Sequence, residues 1–309
     1  MANNTSQLHK SSRLYSCLLL AAMFASFATL LRLPQIVAFT TSQRCEILKA
    51  GIPQQADYDS LFRTYAFRKV ERFSDNFQYK HRKVLEVYGK KWVTDPLHTW
   101  SRVYEYPFVF CRVMKAVAAT STKQFRILDL GSGVTFFPWL IKEFLGDKTA
   151  SVSAVDVDVD FTSLYDTINH AEHHQVSFRA ENMKMTLENT PAGHYDIIYS
   201  ISVLEHVDDA LDMIEKVERA LKKGGIFIVT IDVYDDDSPN QFQLKRAENI
   251  IQTLNETFIR VGPIQTTLRD GFNANPVVPE TYRLYNKDYD SASFGPHKLT
   301  FSCFEFMKS

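Results

Sequence analysis

Phe125-Arg126-Ile127-Leu128-Asp129-Leu130 runs into Gly131-Ser132-Gly133-Val134-Thr135, and this stretch decides the fold. Phe125–Leu130 reads as a short strand of the fully buried kind, and a helical segment follows near Pro138–Phe144. Two glycines one residue apart at a strand-to-helix junction let the backbone approach a ligand closely. In an open parallel sheet, ligands bind beyond the carboxyl ends of the strands. The alternative for a lone G-x-G pair is a tight turn that binds nothing.

Downstream, the same unit repeats. Short apolar runs at Val152–Asp156, Val176–Arg179, Tyr195–Ser200 and Ile226–Ile231 predict strands. Helical patterns at Phe161–His170, Asp209–Leu221 and Phe242–Leu254 lie among them, and Leu299–Met307 alternates well enough for a final strand. Strands alternating with helices predict a parallel sheet covered on both faces. Upstream, apolar residues recur at helical spacing from Leu61 to Phe73, from Lys80 to Trp92 and from Ser101 to Ala118. Asp95-Pro96 marks a break before the third segment, and Pro107 predicts a kink or a start within it. Three parts follow: a targeting or anchor segment over 1–40, a helical cap over 41–122 and the α/β domain over 123–309.

The chain has 309 residues, 45% hydrophobic and 23% charged, which suits one large globular domain with an extension. Its net charge of −1 gives no field that would make nucleic acid the main partner. The balance is uneven along the chain. Residues 1–40 carry 3 basic and no acidic side chains, 41–124 carry 15 and 8, and 125–309 carry 17 and 28. The change near residue 124 marks two structural units, although a charged run is more often a solvated face. Cys17, Cys45, Cys111 and Cys303 have no CxxC spacing, so no zinc site is implied.

Lys10 and Arg13 precede the uncharged run Leu14–Leu31, which Arg32 closes. As a helix its 18 residues would span about 27 Å, near the thickness of a bilayer core. It reads as a signal sequence or as an uncleaved anchor. The following Ala38-Phe39-Thr40-Thr41-Ser42-Gln43-Arg44 also resembles the signal-plus-transit pattern of some algal plastid proteins.

Asp156 stands at the end of the second strand, 25 positions after Gly131, where a carboxylate can accept both hydroxyl hydrogens of a ribose. Asp158 and Asp160 could share that role.

Four features in order now identify a family resemblance. Ile127–Gly133, Val155-Asp156, Tyr195–Ser200 running into Val203-Leu204-Glu205-His206-Val207, and Leu221-Lys222-Lys223-Gly224-Gly225 resemble the motifs of class I S-adenosylmethionine-dependent methyltransferases of the small-molecule type. The resemblance implies a doubly wound, seven-stranded, mostly parallel sheet whose last strand is antiparallel. It implies S-adenosylmethionine as cofactor, held by Asp129, Gly131, Ser132, Gly133, Asp156, Val157, Glu181 or Asn182, Met183 and Ser200. Two departures stand out: Thr135 replaces a frequent third glycine, and Asn182 falls where an acid near the adenine amino group is expected.

Methyl transfer from a sulfonium is an in-line displacement that leans on positioning and desolvation. A base is needed when the acceptor is a hydroxyl or a protonated amine. The resemblance places His206 and Glu205 at the cleft as candidates for that base, although His206 could equally cap the next helix. Arg102, Tyr104 and Tyr106, on a helix rich in polar aromatics, would suit a small acid-bearing acceptor, with Arg102 as a bidentate clamp. Asp232, with Asp235, Asp236 and Asp237, follows strand five at the ligand end, where acids could meet a cationic acceptor or a metal, or simply be solvated. A catalytically silent module that binds partners through the basic helical region is the rival reading. A dinucleotide oxidoreductase is a distant one, since Phe136 stands where its third glycine belongs. The cofactor is made on the cytosolic side of membranes. The expected location is therefore an anchor over 14–31 with the catalytic domain facing the cytosol, or delivery to a plastid.

Overall fold

The computed structural model describes residues 48–99, 101–120, 124–146, 149–234, 241–262, 264–265 and 299–309. The 14–31 run, Trp100 and Asp235–Asp237 lie outside the described residues. Among those described, no helix is long and apolar enough to cross a membrane.

The chain enters through β1 (Ala50–Gly51) and α1 (Gln55–Leu61), then α2 (Tyr65–Tyr88) and α3 (Arg102–Ala119). The Thr64 hydroxyl caps α2 by accepting the Phe67 N–H at 3.0 Å. Two separate helices are expected over this stretch, yet α2 is continuous. Val70, Ser74, Phe77, His81, Leu85 and Tyr88 keep one buried face across the polar residues between them. The discontinuity shrinks to a kink at His81 (φ −107°, ψ 15°), whose Nε2 lies 2.6 Å from Glu172 Oε1. In α3, Pro107 sits inside the helix without ending it.

The α/β part follows: β2 (Phe125–Leu130), α4 (Phe137–Leu145), β3 (Thr149–Asp156), α5 (Phe161–Ala171), β4 (Ser177–Ala180), α6 (Met183–Asn189), β5 (Tyr195–Ile201), α7 (Ala210–Ala220), β6 (Leu221–Tyr234) and α8 (Gln241–Thr257). Two short segments, β7 (Ile259–Arg260) and β8 (Ile264–Gln265), precede the long β9 (Leu299–Met307). They form one sheet in the order β4-β3-β2-β5-β6-β9-β1-β8, with β7 also on β9. The strands β4, β3, β2, β5 and β6 are parallel neighbours, and β9 runs antiparallel to β6 as expected.

Alternation along each strand builds two cores. Ile127, Val152, Ile197, Tyr199 and Ile228 face a layer containing α2, α3, α4 and α5. Leu128, Leu130, Val155, Ile198, Phe227 and Val229 face α7 and α8. Both faces are covered, so the strands read as continuous apolar runs. Aromatic rings fill the first layer: Trp139 stacks on Tyr165 at 4.7 Å and Tyr165 on Phe178 at 4.2 Å. Truncating such a buried ring costs about 3–5 kcal/mol.

The strand β6 is longer than the apolar run Ile226–Ile231 suggests. Pairing with β9 carries it to Tyr234, and Asp232 opposes Phe301. Asp232 therefore does not follow the strand; it is a residue of the strand, paired to β9.

Candidate functional site

The ends of β2, β3, β5 and β6 meet at one edge of the sheet. At β2, Gly131 (φ +74°) and Gly133 (φ +53°) adopt the left-handed conformation that glycine permits. A Cβ on Gly131 would lie 2.5 Å from Val203 Cγ1 and 2.6 Å from Cγ2, and one on Gly133 would strike the Tyr88 hydroxyl. The loop leaves its carbonyls and amides close to β3. Gly131 N–H and Ser132 N–H both donate to Val155 O, at 2.9 and 3.1 Å. Gly133 N–H donates to Asp156 Oδ2 at 2.9 Å. The Tyr165 hydroxyl, from α5, braces the loop by donating to Gly133 O at 2.9 Å.

Asp156 is half-buried; Oδ2 holds this loop and Oδ1 accepts the Asp158 N–H at 3.4 Å, a long bond that leaves the carboxylate able to accept from hydroxyls outside. Its two rivals are taken: Lys91 Nζ donates to Asp158 Oδ2 and Asp160 Oδ2, each at 2.7 Å. Beyond it, Val157 exposes 70% of its surface, an apolar face open to a ring. Asp129 is 4% exposed, and burial pushes its carboxyl well above the usual range, with Asp156 adding to the rise and the Tyr199 hydroxyl opposing it.

Three other expected cofactor residues are engaged internally. Asn182 caps α6, its Oδ1 accepting the Lys184 N–H at 2.8 Å. Glu181 Oε2 accepts from the Thr186 hydroxyl at 2.6 Å. Ser200 is fully buried and donates to Leu130 O at 3.2 Å, which ties β5 to β2 rather than facing a ligand. Met183 starts α6 and is partly buried. Thr135, in place of glycine, is buried, and its side chain hydrogen-bonds Tyr106.

At the other side of the same edge lies a charged cluster. After β5, Ser202 has φ +46°, and Leu204–His206 forms a single 3-10 turn. Asp232 N–H donates to Glu205 Oε1 at 2.8 Å, while Glu205 Oε2 is buried with no hydrogen-bond partner. Burial and then Asp232 push the Glu205 carboxyl well up. Burial likewise pushes Asp232 up to about 6, against the pull of Arg102. His206 is exposed at the rim; partial desolvation, then Arg102 and Arg246, hold it below the ordinary histidine range, so it is neutral near pH 7. One ligating atom from each of Glu205, His206 and Asp232 lies within 4.8 Å of the others. The set could hold a cation, a possibility that sequence reading raised only for the aspartates.

Arg102 reaches this cluster, with NH1 bonded to Glu105 Oε2 at 2.6 Å and to Ser101 Oγ at 3.1 Å. Tyr106 also comes to the site side, packed 5.0 Å from Phe136 and 5.0 Å from Phe137. Tyr104 does not. It is fully buried on the opposite side of α3, 5.6 Å from Phe301, because two residues along a helix turn the side chain through about 200°. Sequence reasoning missed Tyr88 and Glu105. Both sit on helical faces whose spacing says only that they are buried.

Residues 58–261 match a family described as a methyltransferase domain. The chain belongs to that family. It is 26% identical over 175 residues to the ubiquinone biosynthesis O-methyltransferase of Pseudomonas paraeruginosa, covering 54% of this chain and 72% of the relative. It is 34% identical over 107 residues to the protein of the same name from Coxiella burnetii, covering 34% of this chain and 43% of that one. Among solved structures it is similar to geranyl diphosphate C-methyltransferase from Streptomyces coelicolor, solved with Mg2+, geranyl diphosphate and S-adenosyl-L-homocysteine. The TM-score there is 0.43 and the identity 12%, over 68% of this chain and 82% of that one. The protein is thus an S-adenosylmethionine-dependent methyltransferase, and the oxidoreductase reading falls away. The residues fit the cofactor: a glycine cradle that any Cβ would fill, beside a half-buried carboxylate. Asp156 would hold the ribose and Val157 the adenine face, with Gly131–Gly133 beneath. When bound, the cofactor supplies the electrophilic methyl carbon.

Proposed function

We propose that the acceptor is a small hydroxyl-bearing molecule, a phenol or catechol, methylated on oxygen. The observation that carries this is the buried, unpartnered Oε2 of Glu205 beside Asp232 and a neutral His206. A hydroxyl is a poor nucleophile until it loses its proton, and a group with a pKa near the working pH removes it best. Burial has moved both carboxyls in that direction. Glu205 takes the proton or passes it to His206 at the rim, and Arg102 keeps the cluster from excess negative charge. The relatives named as ubiquinone biosynthesis O-methyltransferases support an oxygen acceptor.

The test is methyl transfer from labelled S-adenosylmethionine to a panel of catechols, phenols, amines and thiols, with and without EDTA, read by mass spectrometry. O-methylated phenolic product is expected, and Glu205→Gln should lower kcat by roughly 10²–10⁴-fold, the usual share of a general base. Turnover confined to amines or thiols, or a Glu205→Gln enzyme of full activity, overturns the proposal.

A further inference from the structure

Building on that acceptor-site reading, we propose that Glu105 is a positioning residue. From α3 it fixes the strained Ser202 turn and the Arg102 guanidinium, and so sets the mouth in which Glu205 and Asp232 meet the acceptor.

Glu105 is fully buried, and both its oxygens are occupied. Oε1 accepts from the Ser202 hydroxyl at 2.6 Å. Oε2 accepts from Arg102 NH1 at 2.6 Å and from the Ser101 hydroxyl at 2.9 Å. A buried carboxylate is costly unless it is paired and hydrogen-bonded, and here it is both. Its partners lie on different elements: Ser101 and Arg102 at the start of α3, and Ser202, 97 positions later, just past β5. Glu105 is therefore a direct link between the upstream helices and the catalytic edge of the sheet.

Ser202 is the one non-glycine residue at positive φ among the described residues. Such a conformation persists only where the surroundings over-determine it. Two anchors come from β6, since Ser202 N–H donates to Thr230 O and to Thr230 Oγ1, each at 3.0 Å. The third is Glu105. The turn matters because it leads directly into Glu205-His206, and because the Ser202 and Ser101 hydroxyls both lie 3.4 Å from Asp232 Oδ1. Without Glu105, the Ser202 hydroxyl loses its short acceptor. Arg102 is then free to close on Asp232, the carboxylate that already acts on it next after Glu105.

The full chain carrying Glu105→Ala, Glu105→Gln, Ser202→Gly or the Glu105→Ala/Ser202→Gly pair decides this. Amide hydrogen exchange over 199–207 should accelerate at least tenfold in Glu105→Ala and return towards the parent rate in the pair, because glycine holds φ +46° unaided. Glu105→Gln keeps an oxygen for Ser202 but loses the charge on Arg102, so it should protect the turn while raising the acceptor KM. Binding of S-adenosylhomocysteine by calorimetry should stay within threefold throughout. With 3,4-dihydroxybenzoate as acceptor, Glu105→Ala should lose at least tenfold in kcat/KM, and the pair should regain part of it. Unchanged exchange at the turn in Glu105→Ala, with only a lower melting temperature, overturns the proposal. So does a pair no better than its parent single variant. A wild-type enzyme inert towards the catechol refutes the acceptor reading instead, and the exchange and rescue results still decide the role of Glu105.

Discussion

Replacing Gly131 by Ala tests the cofactor cradle quantitatively. Two penalties can be separated in the structure. The first is backbone: at φ +74° an L-residue costs about 1–2 kcal/mol relative to glycine. The second is steric: the new methyl would sit 2.5 and 2.6 Å from the two Val203 methyls and 3.0 Å from Val203 Cβ. Overpacking of this kind costs about 1–3 kcal/mol. The sum is roughly 2–5 kcal/mol of stability, measurable by urea unfolding followed through the buried tryptophan Trp139. Gly146→Ala is the internal control. Gly146 has φ +50° and ψ −127° with nothing within 4 Å of its built Cβ, so it should lose only a backbone part, about 1–3 kcal/mol. Adding Val203→Ala to Gly131→Ala removes the two crowded methyls and should return the steric part, less the cost of the small cavity. Displacement of the loop should also weaken S-adenosylhomocysteine binding at least tenfold by calorimetry. A Gly131→Ala protein that loses less than about 0.5 kcal/mol, or that binds the nucleoside as tightly as the parent, would falsify the account of the cradle.

Three more outcomes are expected. Asp156→Ala should weaken cofactor binding by about 1–3 kcal/mol in calorimetry, the scale of hydrogen bonds lost to a buried partner, while Asp158→Ala should not; equal effects would remove Asp156 from the ribose role. Burial pushes up both Asp232, to about 6, and the proposed base Glu205, so kcat/KM should rise with pH through and beyond 6 as the two carboxyls ionise. Asp232→Asn removes the neighbouring charge that raises Glu205, so the rise should move to lower pH; an unmoved profile assigns it to another group. Tyr104→Phe should leave both KM values and kcat unchanged, since its ring packs on Phe301 away from the cleft, whereas Tyr106→Phe should alter them through Thr135 and the glycine loop; the reverse pattern would contradict the orientation of α3.

Much of the candidate site was legible because it rests on local rules. A strand, two glycines and a helix place Gly131 and Gly133 at a ligand edge whatever surrounds them. Val155-Asp156 needs only the next strand to lie parallel. The alternation of apolar runs and helices fixed the layered architecture, since strands covered on both faces must read as continuous apolar segments. Where the sequence reading went astray, a distant partner had intervened. Asp232 reads as loop because the apolar run ends at Ile231, yet β9, some 70 residues later, extends β6 past it.

The sequence by itself determined the fold class, the glycine cradle, the carboxylate at β3 and the Glu205-His206 pair, all set by short-range pattern and steric permission. Tertiary structure alone decided which polar side chains are free to act. Ser200, Asn182, Asp158 and Asp160 carry suitable chemistry but are held by Leu130, the Lys184 amide and Lys91. Tyr88 and Glu105, unremarkable on their helical faces, are carried to the site by the packing of α2 and α3. The physical reason is that hydrogen-bond partners and burial depend on groups brought close by folding, often from far along the chain, whereas backbone permission and apolar periodicity are written into neighbouring residues.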